Sequence, residues 1–202
     1  MGAAADCELF THPFLGQPVN SLTTIAFMIA GAVIFRETRL RWIAAALVAT
    51  GIGSFIFHGP AIPLSEWAHD VTLAWLLLMI ASLGTRFEPM SRLPGLAVIG
   101  VVFAVVPPIA DPVAVALAAL AVVRVVTADR SQGTIALLGA LGAIAILGRL
   151  GATGGPLCSP SSLWQWHGLW HVGAAAITAA LAVRLDRSAS ALQGIDPSAG
   201  TF

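Results

Sequence analysis

Five polar side chains occur at helical spacing within an otherwise apolar chain, and their types suit metal chemistry. His167 and His171 are four residues apart in WQWHGLWH, Ser54 and His58 repeat that spacing in GSFIFHG, and Asp70 follows in EWAHDV. Side chains four apart on a helix share a face, so the paired imidazoles can reach one ion. His58 beside them would complete three neutral nitrogen ligands with an open fourth position, which is how catalytic zinc is bound.

The other two residues fit the chemistry that such an ion supports. Bound zinc lowers the pKa of a water molecule toward about 7. We expect Asp70 to accept the proton of that water, and Ser54 to hydrogen-bond the oxyanion or orient a ligand. Structural interpretations also stay open. The two histidines could belong to an interfacial tryptophan belt or form hydrogen bonds between helices. Ser54 could be a small packing residue, and Asp70 could serve a proton pathway or pair with Arg149.

The composition predicts that these residues lie in a membrane. The chain has 202 residues, 57% hydrophobic and 10% charged, with a mean hydropathy of +0.88. These values indicate an integral membrane protein, in which buried ionisable groups are costly and usually mark a functional site. The net charge is zero and no basic run occurs, which excludes nucleic-acid binding. The N-terminus carries acids where a secretory signal has positive charge, so we expect no cleaved signal.

The apolar stretches predict an all-α bundle of seven transmembrane helices. They form one domain over residues 1–187, with a short N-terminal segment over 1–18 and a polar, flexible tail over 188–202. The prolines between the fourth and fifth stretches favour a turn, although one broken hairpin is the alternative. Each stretch approaches the roughly 17–25 residues that cross a bilayer, and the seven lie at 19–37, 41–59, 65–85, 93–108, 109–126, 132–151 and 162–184.

The basic residues predict the orientation of the bundle. All ten are arginines, and nine lie in alternate connections or after the last helix: Arg36, Arg39, Arg41, Arg86, Arg92, Arg124, Arg130, Arg184 and Arg187. The positive-inside rule makes these segments cytoplasmic, with the N-terminus outside and the C-terminus cytoplasmic. Arg149 is the exception, either extending to the head groups or facing a substrate. The composition, rich in alanine and free of lysine, favours a bacterial inner membrane.

This orientation places the polar residues at one depth. The end of the second helix, the start of the third and the upper half of the seventh all fall in the outer half of the bilayer, given a rise of about 1.5 Å per residue. His69 points about 100° away from Asp70, so it either supports the site without binding the ion or faces lipid. His12 is expected to be exposed in an outer loop.

The arrangement resembles the alkaline ceramidases, within the seven-helix hydrolase superfamily that also contains adiponectin/progestin receptors and hemolysin III. The order Ser-x3-His, Asp and His-x3-His is similar to that superfamily's pattern. In DCELFTHPFLGQPVNSLTTIAF, Cys7, Glu8 and Asn20 match the ceramidase pattern of Cys-Glu followed by Glu-x-x-Asn. The predicted outside N-terminus also agrees with the ceramidase branch.

The resemblance implies a zinc-dependent hydrolase of a membrane lipid amide, most simply ceramide, giving a sphingoid base and a fatty acid. By this resemblance His58, His167 and His171 would bind zinc, Asp70 would handle the proton of the water, and Ser54 would assist at the reacting centre. The amide and the sphingolipid come from the family alone.

The resemblance also implies features of the N-terminal segment. The family's N-terminal acids are associated with calcium, for which Asp6 and Glu8 are the candidates here, although Gln17 stands where an acid is expected and calcium prefers carboxylates. The alternative is that the two acids only cap and solvate this segment. The family pairs cysteines in these regions, which implies a Cys7–Cys158 disulfide rather than two free thiols.

Two other functions remain open from the sequence. Histidines on two helices could bind haem in an electron carrier, although haem would leave one histidine, Ser54 and Asp70 without a role. A lipid receptor or transporter of the same fold could bind zinc and lipid without turnover. The sequence specifies neither the acyl-chain preference nor the oligomeric state.

Overall fold

The protein is helical throughout the part of the chain that the computed structural model describes, residues 6–193. No β-strand occurs in that range, which confirms the all-α class. A 3₁₀ turn at Pro107–Ile109 precedes α7. The α-helices in this range are α1 (Pro18–Thr23), α2 (Ile25–Glu37), α3 (Arg41–His58), α4 (Ser65–Ser82), α5 (Glu88–Ser91), α6 (Leu93–Val105), α7 (Ala110–Ala128), α8 (Gln132–Leu150) and α9 (Trp166–Gln193).

Five helical segments of the described chain are long and apolar enough to cross a membrane, as expected of a multi-pass integral membrane protein. Large apolar side chains on α7 and α8 are exposed, including Val115 and Ile146, because lipid rather than water surrounds such helices. The five segments are Pro18–Glu37, Arg41–His58, Pro107–Ala128, Gln132–Leu150 and Trp166–Ala189.

The other two predicted spans are helical but differ from these five. α6 has only 13 residues, because Pro107 and Pro108 end its apolar stretch early. α4 carries Glu66, His69 and Asp70 in its first two turns, which lowers its hydropathy. α4 packs against α3, α6 and α7, and its side chains Ala74 and Met79 lie in the core. The seven-span count therefore stays a prediction.

The helix bounds differ from the apolar stretches most clearly in the first and the last of them. The first stretch is divided into α1 and α2 at Thr24, which is the C-cap residue of α1. The Thr24 hydroxyl donates a hydrogen bond to the carbonyl of Ser21. α9 begins at Trp166, four residues later than predicted, and continues to Gln193. The first six residues of the expected tail are thus helical, and 194–202 lie outside the described residues. The short helix α5 was not predicted.

Contacts bring the arginine-bearing helix ends together at one end of the bundle. Arg39 Nε lies 3.3 Å from Asp186 Oδ1, which joins the α2–α3 connection to α9. Arg184 Nε lies 3.7 Å from Asp129 Oδ2, which joins α9 to the α7–α8 connection. His58 ends α3, whose 18 residues are about 25 Å long. The histidines therefore lie at the opposite end from these arginines.

Candidate metal centre

The three predicted zinc ligands meet at the end of α3 and the start of α9. The ring centroids are 4.9 Å apart for His58 and His167, 5.1 Å for His58 and His171, and 4.5 Å for His167 and His171. Ligand atoms of all three lie within 4.8 Å of one another. His58 is 0% exposed and His171 is 2% exposed, so these two imidazoles are buried.

The contacts of His58 define which ring nitrogen is free. Its Nδ1 lies 2.7 Å from Gln17 Oε1, and the Gln17 amide nitrogen donates to the carbonyl of Glu8 at 2.7 Å. Since the Glu8 carbonyl can only accept, the Gln17 amide oxygen must face the ring and accept from Nδ1–H. His58 Nε2 is then unprotonated and carries a lone pair suitable for a metal.

The other two histidines are oriented in the same way by the N-terminal part of the chain. His171 Nδ1 lies 3.2 Å from the carbonyl of Asn20 and 3.0 Å from Thr23 Oγ1. Because the carbonyl only accepts, this Nδ1 is the donor. His167 Nδ1 lies 3.3 Å from Asp6 Oδ1. Each Nδ1 therefore faces a protein oxygen and leaves Nε2 available.

This donor set fits a zinc ion. His58 Nε2 and His167 Nε2 are buried and have no hydrogen-bond partner among the described residues. Buried polar nitrogens without partners are costly, and a metal ion would satisfy both. Hydrogen bonds from Nδ1 to protein oxygens are the usual arrangement around metal-binding histidines, because they fix the tautomer and the ring orientation.

Asp6 and Glu8, the two calcium candidates, have different contacts. Both carboxylate oxygens of Glu8 accept backbone N–H groups at the α1 N-terminus, from Val19 and Asn20 at 2.8 Å each. Asp6 instead faces His167 and His58, and burial raises its pKa to about 6, opposed by the nearby His69. Glu8 thus caps α1, and calcium binding stays a prediction.

Asp70 and the adjacent His69 lie in the second turn of α4, which packs against α3. Asp70 Oδ1 is 2.9 Å from His69 Nδ1. The His69 ring stacks on Phe57 at a centroid distance of 4.9 Å and lies 6.3 Å from the His58 ring. The His69 ring is thus packed against the end of α3, next to His58. Ser54 is buried one turn before His58 on α3.

The predicted disulfide between Cys7 and Cys158 is present, with the two Cα atoms 5.6 Å apart. Two further contacts join the same segments: Cys7 N donates to Thr153 Oγ1, and Leu9 N donates to the carbonyl of Pro160. The N-terminal segment is thus attached to the loop before α9, where it reaches the histidines.

A glycine turn seats this N-terminal segment against the end of α3. Gly16 has φ +50°, and an added Cβ would lie 2.4 Å from the His58 carbonyl oxygen. The next residue, Gln17, donates its backbone N–H to that same carbonyl at 2.9 Å. His12, in the same turn, is exposed as expected, and its Nδ1 accepts from Phe14 N and Leu15 N.

An apolar cavity of about 330 Å³ lies within the bundle next to this centre. Phe27 and Trp170 line it, and the Phe27 ring contacts His171 at 5.6 Å between centroids. The lining continues along α9 to Leu185, about 22 Å further at 1.5 Å per residue. Its lining side chains are apolar except Thr178. The cavity can therefore accept a hydrocarbon chain beside the three histidines.

Sequence reasoning missed most residues that orient the ligands. In the sequence Gln17 stands out only as a missing acid, and no pattern marks Thr23. They contact histidines 41 and 148 residues away, so no local spacing indicates them. The Cys-Glu and Asn20 motif was the one signal that pointed to this segment.

Comparisons with known proteins leave the function to be argued from the site itself. The chain matches no protein-family model, and no curated protein or solved structure gives a match. The resemblance to alkaline ceramidases rests on the residues quoted above. The features of this chain that bear on its function are therefore the histidine cluster and the adjoining cavity.

Proposed function

We propose that the protein is a zinc-dependent intramembrane hydrolase of a lipid amide, with a ceramide-like N-acyl sphingoid as its substrate. One observation carries the proposal: three imidazoles converge, each with Nδ1 facing a protein oxygen, while His58 Nε2 and His167 Nε2 are buried without partners. Three neutral nitrogens with room for a fourth ligand are typical of catalytic zinc rather than structural zinc.

The spacing of the rings favours a small ion over haem. The centroids lie 4.5–5.1 Å apart in all three pairs. A planar macrocycle between any two of these rings would need them on opposite faces with the third moved away. A single ion needs no such rearrangement, and it uses all three histidines.

The remaining polar residues have distinct roles in the proposed reaction. When bound, zinc would polarise a water molecule and the carbonyl of the amide. Asp70 accepts the proton of the water that attacks the amide carbon and returns it to the departing amine. Ser54 donates a hydrogen bond to the carbonyl oxygen as negative charge develops there. The products are a free amine and a fatty acid.

The cavity supports a lipid as the substrate. It is almost entirely apolar, and its volume lies at the lower end of the roughly 300–1,000 Å³ typical of ligand pockets. Phe27 lines the cavity and its ring contacts His171, so a hydrocarbon chain that fills the cavity would have one end next to the histidine cluster. An acyl chain joined to an amide has this form.

We also propose that the arginine-bearing end of the bundle is cytoplasmic, which puts the histidines in the outer half of a bacterial inner membrane. The arginine distribution supports this orientation. The disulfide supports it independently, because disulfides persist in oxidising compartments such as the periplasm.

Metal analysis of the purified protein beside a fluorescent N-acyl-lipid hydrolysis assay tests the function. We expect about one zinc per chain, and hydrolysis that a chelator abolishes and added zinc restores. The variants His167→Ala and His171→Ala should lose both zinc and activity, because two ligands hold the ion poorly. Asp70→Asn should keep zinc and lose turnover.

His12→Ala is the matched control, since this exposed histidine makes only local turn contacts. Asp70→Asn with wild-type turnover would remove Asp70 from proton transfer. Protein that binds zinc and lipid but never hydrolyses an amide would instead be a lipid receptor or transporter, and a strong Soret band would establish a haem protein.

A further inference from the structure

We propose that His69 is a positioning residue for Asp70, which it orients by donating a hydrogen bond from Nδ1 to the carboxylate. The proposal rests on the proposed function, in which Asp70 accepts the proton of the attacking water. It gives a role to the one histidine beside the metal centre that is not itself a candidate ligand.

The direct contact defines donor and acceptor. His69 Nδ1 and Asp70 Oδ1 are 2.9 Å apart. An ionised carboxylate can only accept, so the hydrogen belongs to His69 Nδ1. Hydrogen bonds to a charged group are about twice as strong as those between neutral groups. Adjacent side chains of a helix point about 100° apart, so this contact forms only if the imidazole is turned toward Asp70.

Phe57 keeps the imidazole in that orientation. The two rings stack with an interplanar angle of 25° and centroids 4.9 Å apart. Phe57 is itself buried and contacts the neighbouring ligand His58 edge to face at 5.0 Å. The His69 ring is therefore fixed by the same end of α3 that supplies a metal ligand.

A close approach of α3 and α4 sets the register of these residues. A Cβ added at Gly53 would lie 2.5 Å from Thr72 Oγ1 and 2.9 Å from the carbonyl oxygen of Ala68. The helices can thus approach so closely only because residue 53 has no side chain. One turn further along α3, Phe57 then reaches His69.

Two substitutions that each preserve one nitrogen test which atom of His69 matters. The amide nitrogen of asparagine can occupy the place of imidazole Nδ1, and that of glutamine the place of Nε2. We expect His69→Ala to lower kcat about 10- to 100-fold with KM within about twofold, since general-base catalysis contributes about 10²–10⁴-fold. Zinc content should stay at the wild-type value. His69→Asn should recover most of kcat, whereas His69→Gln should resemble His69→Ala.

Three results would overturn the proposal. Wild-type kcat in His69→Ala would show that Asp70 needs no such partner. Recovery by glutamine but not asparagine would assign the role to Nε2, and loss of zinc in His69→Ala would make the residue a support of the metal ligands. His12→Ala, at an exposed histidine, serves as the control for loss of an imidazole.

The visible spectrum of the cobalt(II)-loaded protein tests the same contact without any turnover. The quantity measured is the pH at which the pH-dependent change of this spectrum is half complete. We expect Asp70→Asn and His69→Ala to shift this pH in the same direction and by a similar amount. His69→Asn should keep the wild-type value. A shift in Asp70→Asn alone would overturn the His69 proposal, and so would no shift in either variant. Wild-type protein that hydrolyses no N-acyl lipid overturns the proposed function but leaves this comparison valid.

Discussion

At the scale of single residues, the histidine cluster is oriented by side chains that are not themselves candidate ligands. Gln17 is 0% exposed and connects the Glu8 carbonyl to His58 Nδ1 through its amide. Gln17 stands at the position where the resemblance to alkaline ceramidases leads one to expect an acid. A neutral amide serves both contacts at once, because it donates with nitrogen and accepts with oxygen, and a carboxylate could only accept.

Replacing this amide should weaken metal binding. We expect Gln17→Leu to lower zinc affinity about 10- to 100-fold, because removing the partner of a ligating histidine releases its orientation. Competition with a fluorescent chelator measures the affinity. The matched control is Gln165→Leu, at another buried glutamine, whose amide nitrogen donates only to the carbonyls of Ser159 and Ser162. Equal losses in both variants would contradict the assigned role of Gln17.

The ligands were predictable from sequence because one helical turn separates His167 from His171. Their partners were not, since the contact between Asn20 and His171 spans 151 residues. His69 shows the limit of helical geometry most clearly: its direction on an ideal helix leaves both roles open, and its stacking on Phe57 depends on a contact with another helix.

At the scale of elements, α9 joins the metal centre to the apolar cavity. His167 and His171 occupy its first two turns, and Trp170, Ala174, Thr178 and further residues one turn apart line the cavity. One face of one helix thus carries two of the three clustered histidines and part of the cavity wall, so the distance between them is fixed by the helix rise.

Filling the cavity midway along α9 should change acyl-chain preference. We expect Thr178→Phe to lower kcat/KM for a 16-carbon amide about tenfold while a 6-carbon amide stays within about threefold, because pocket volume discriminates chains by a few kcal/mol. A chain-length series of fluorescent amides measures this. Ala176→Phe, at an exposed position of α9 outside the cavity, is the control. Equal losses for both chain lengths would contradict the assignment.

Each predicted apolar stretch contains a helix, but apolarity alone did not define the helix bounds. α4 carries His69 and Asp70 and is not among the five segments that are long and apolar enough to cross a membrane. Its place in the bundle is indicated by its packing against α3, α6 and α7 rather than by its hydropathy. The start of α9 at Trp166 follows a loop containing Cys158, which a hydropathy pattern does not register.

At the scale of the whole molecule, the disulfide links the two ends of the chain that build the centre. It attaches the segment carrying Asp6, Glu8 and Gln17 to the loop that leads into α9. The disulfide therefore joins the segment that orients the three histidines to the loop before the helix that carries two of them. The sequence indicated this linkage only through the family resemblance.

Removing the disulfide should loosen this connection. We expect the double variant Cys7→Ser with Cys158→Ser to lower Tm by about 5–10 °C, since a disulfide contributes about 2–4 kcal/mol and each kcal/mol is worth about 2–4 °C at this size. Zinc should also dissociate faster, because Asp6 is no longer kept beside His167. Thermal melts and stopped-flow chelator capture measure the two effects. Ser159→Ala in the same loop is the control, and an unchanged zinc-release rate would contradict the linkage.

The long separation between Asn20 and His171 also has a consequence for biosynthesis. The first helix leaves the ribosome with Gln17, Asn20 and Thr23 in place, but the imidazoles of α9 follow only near the end of translation. A nascent chain stalled anywhere before residue 167 has a single candidate ligand, His58. At the proposed centre, metal binding would therefore be one of the last steps of maturation, and a truncated chain would lack the two ligands that α9 supplies.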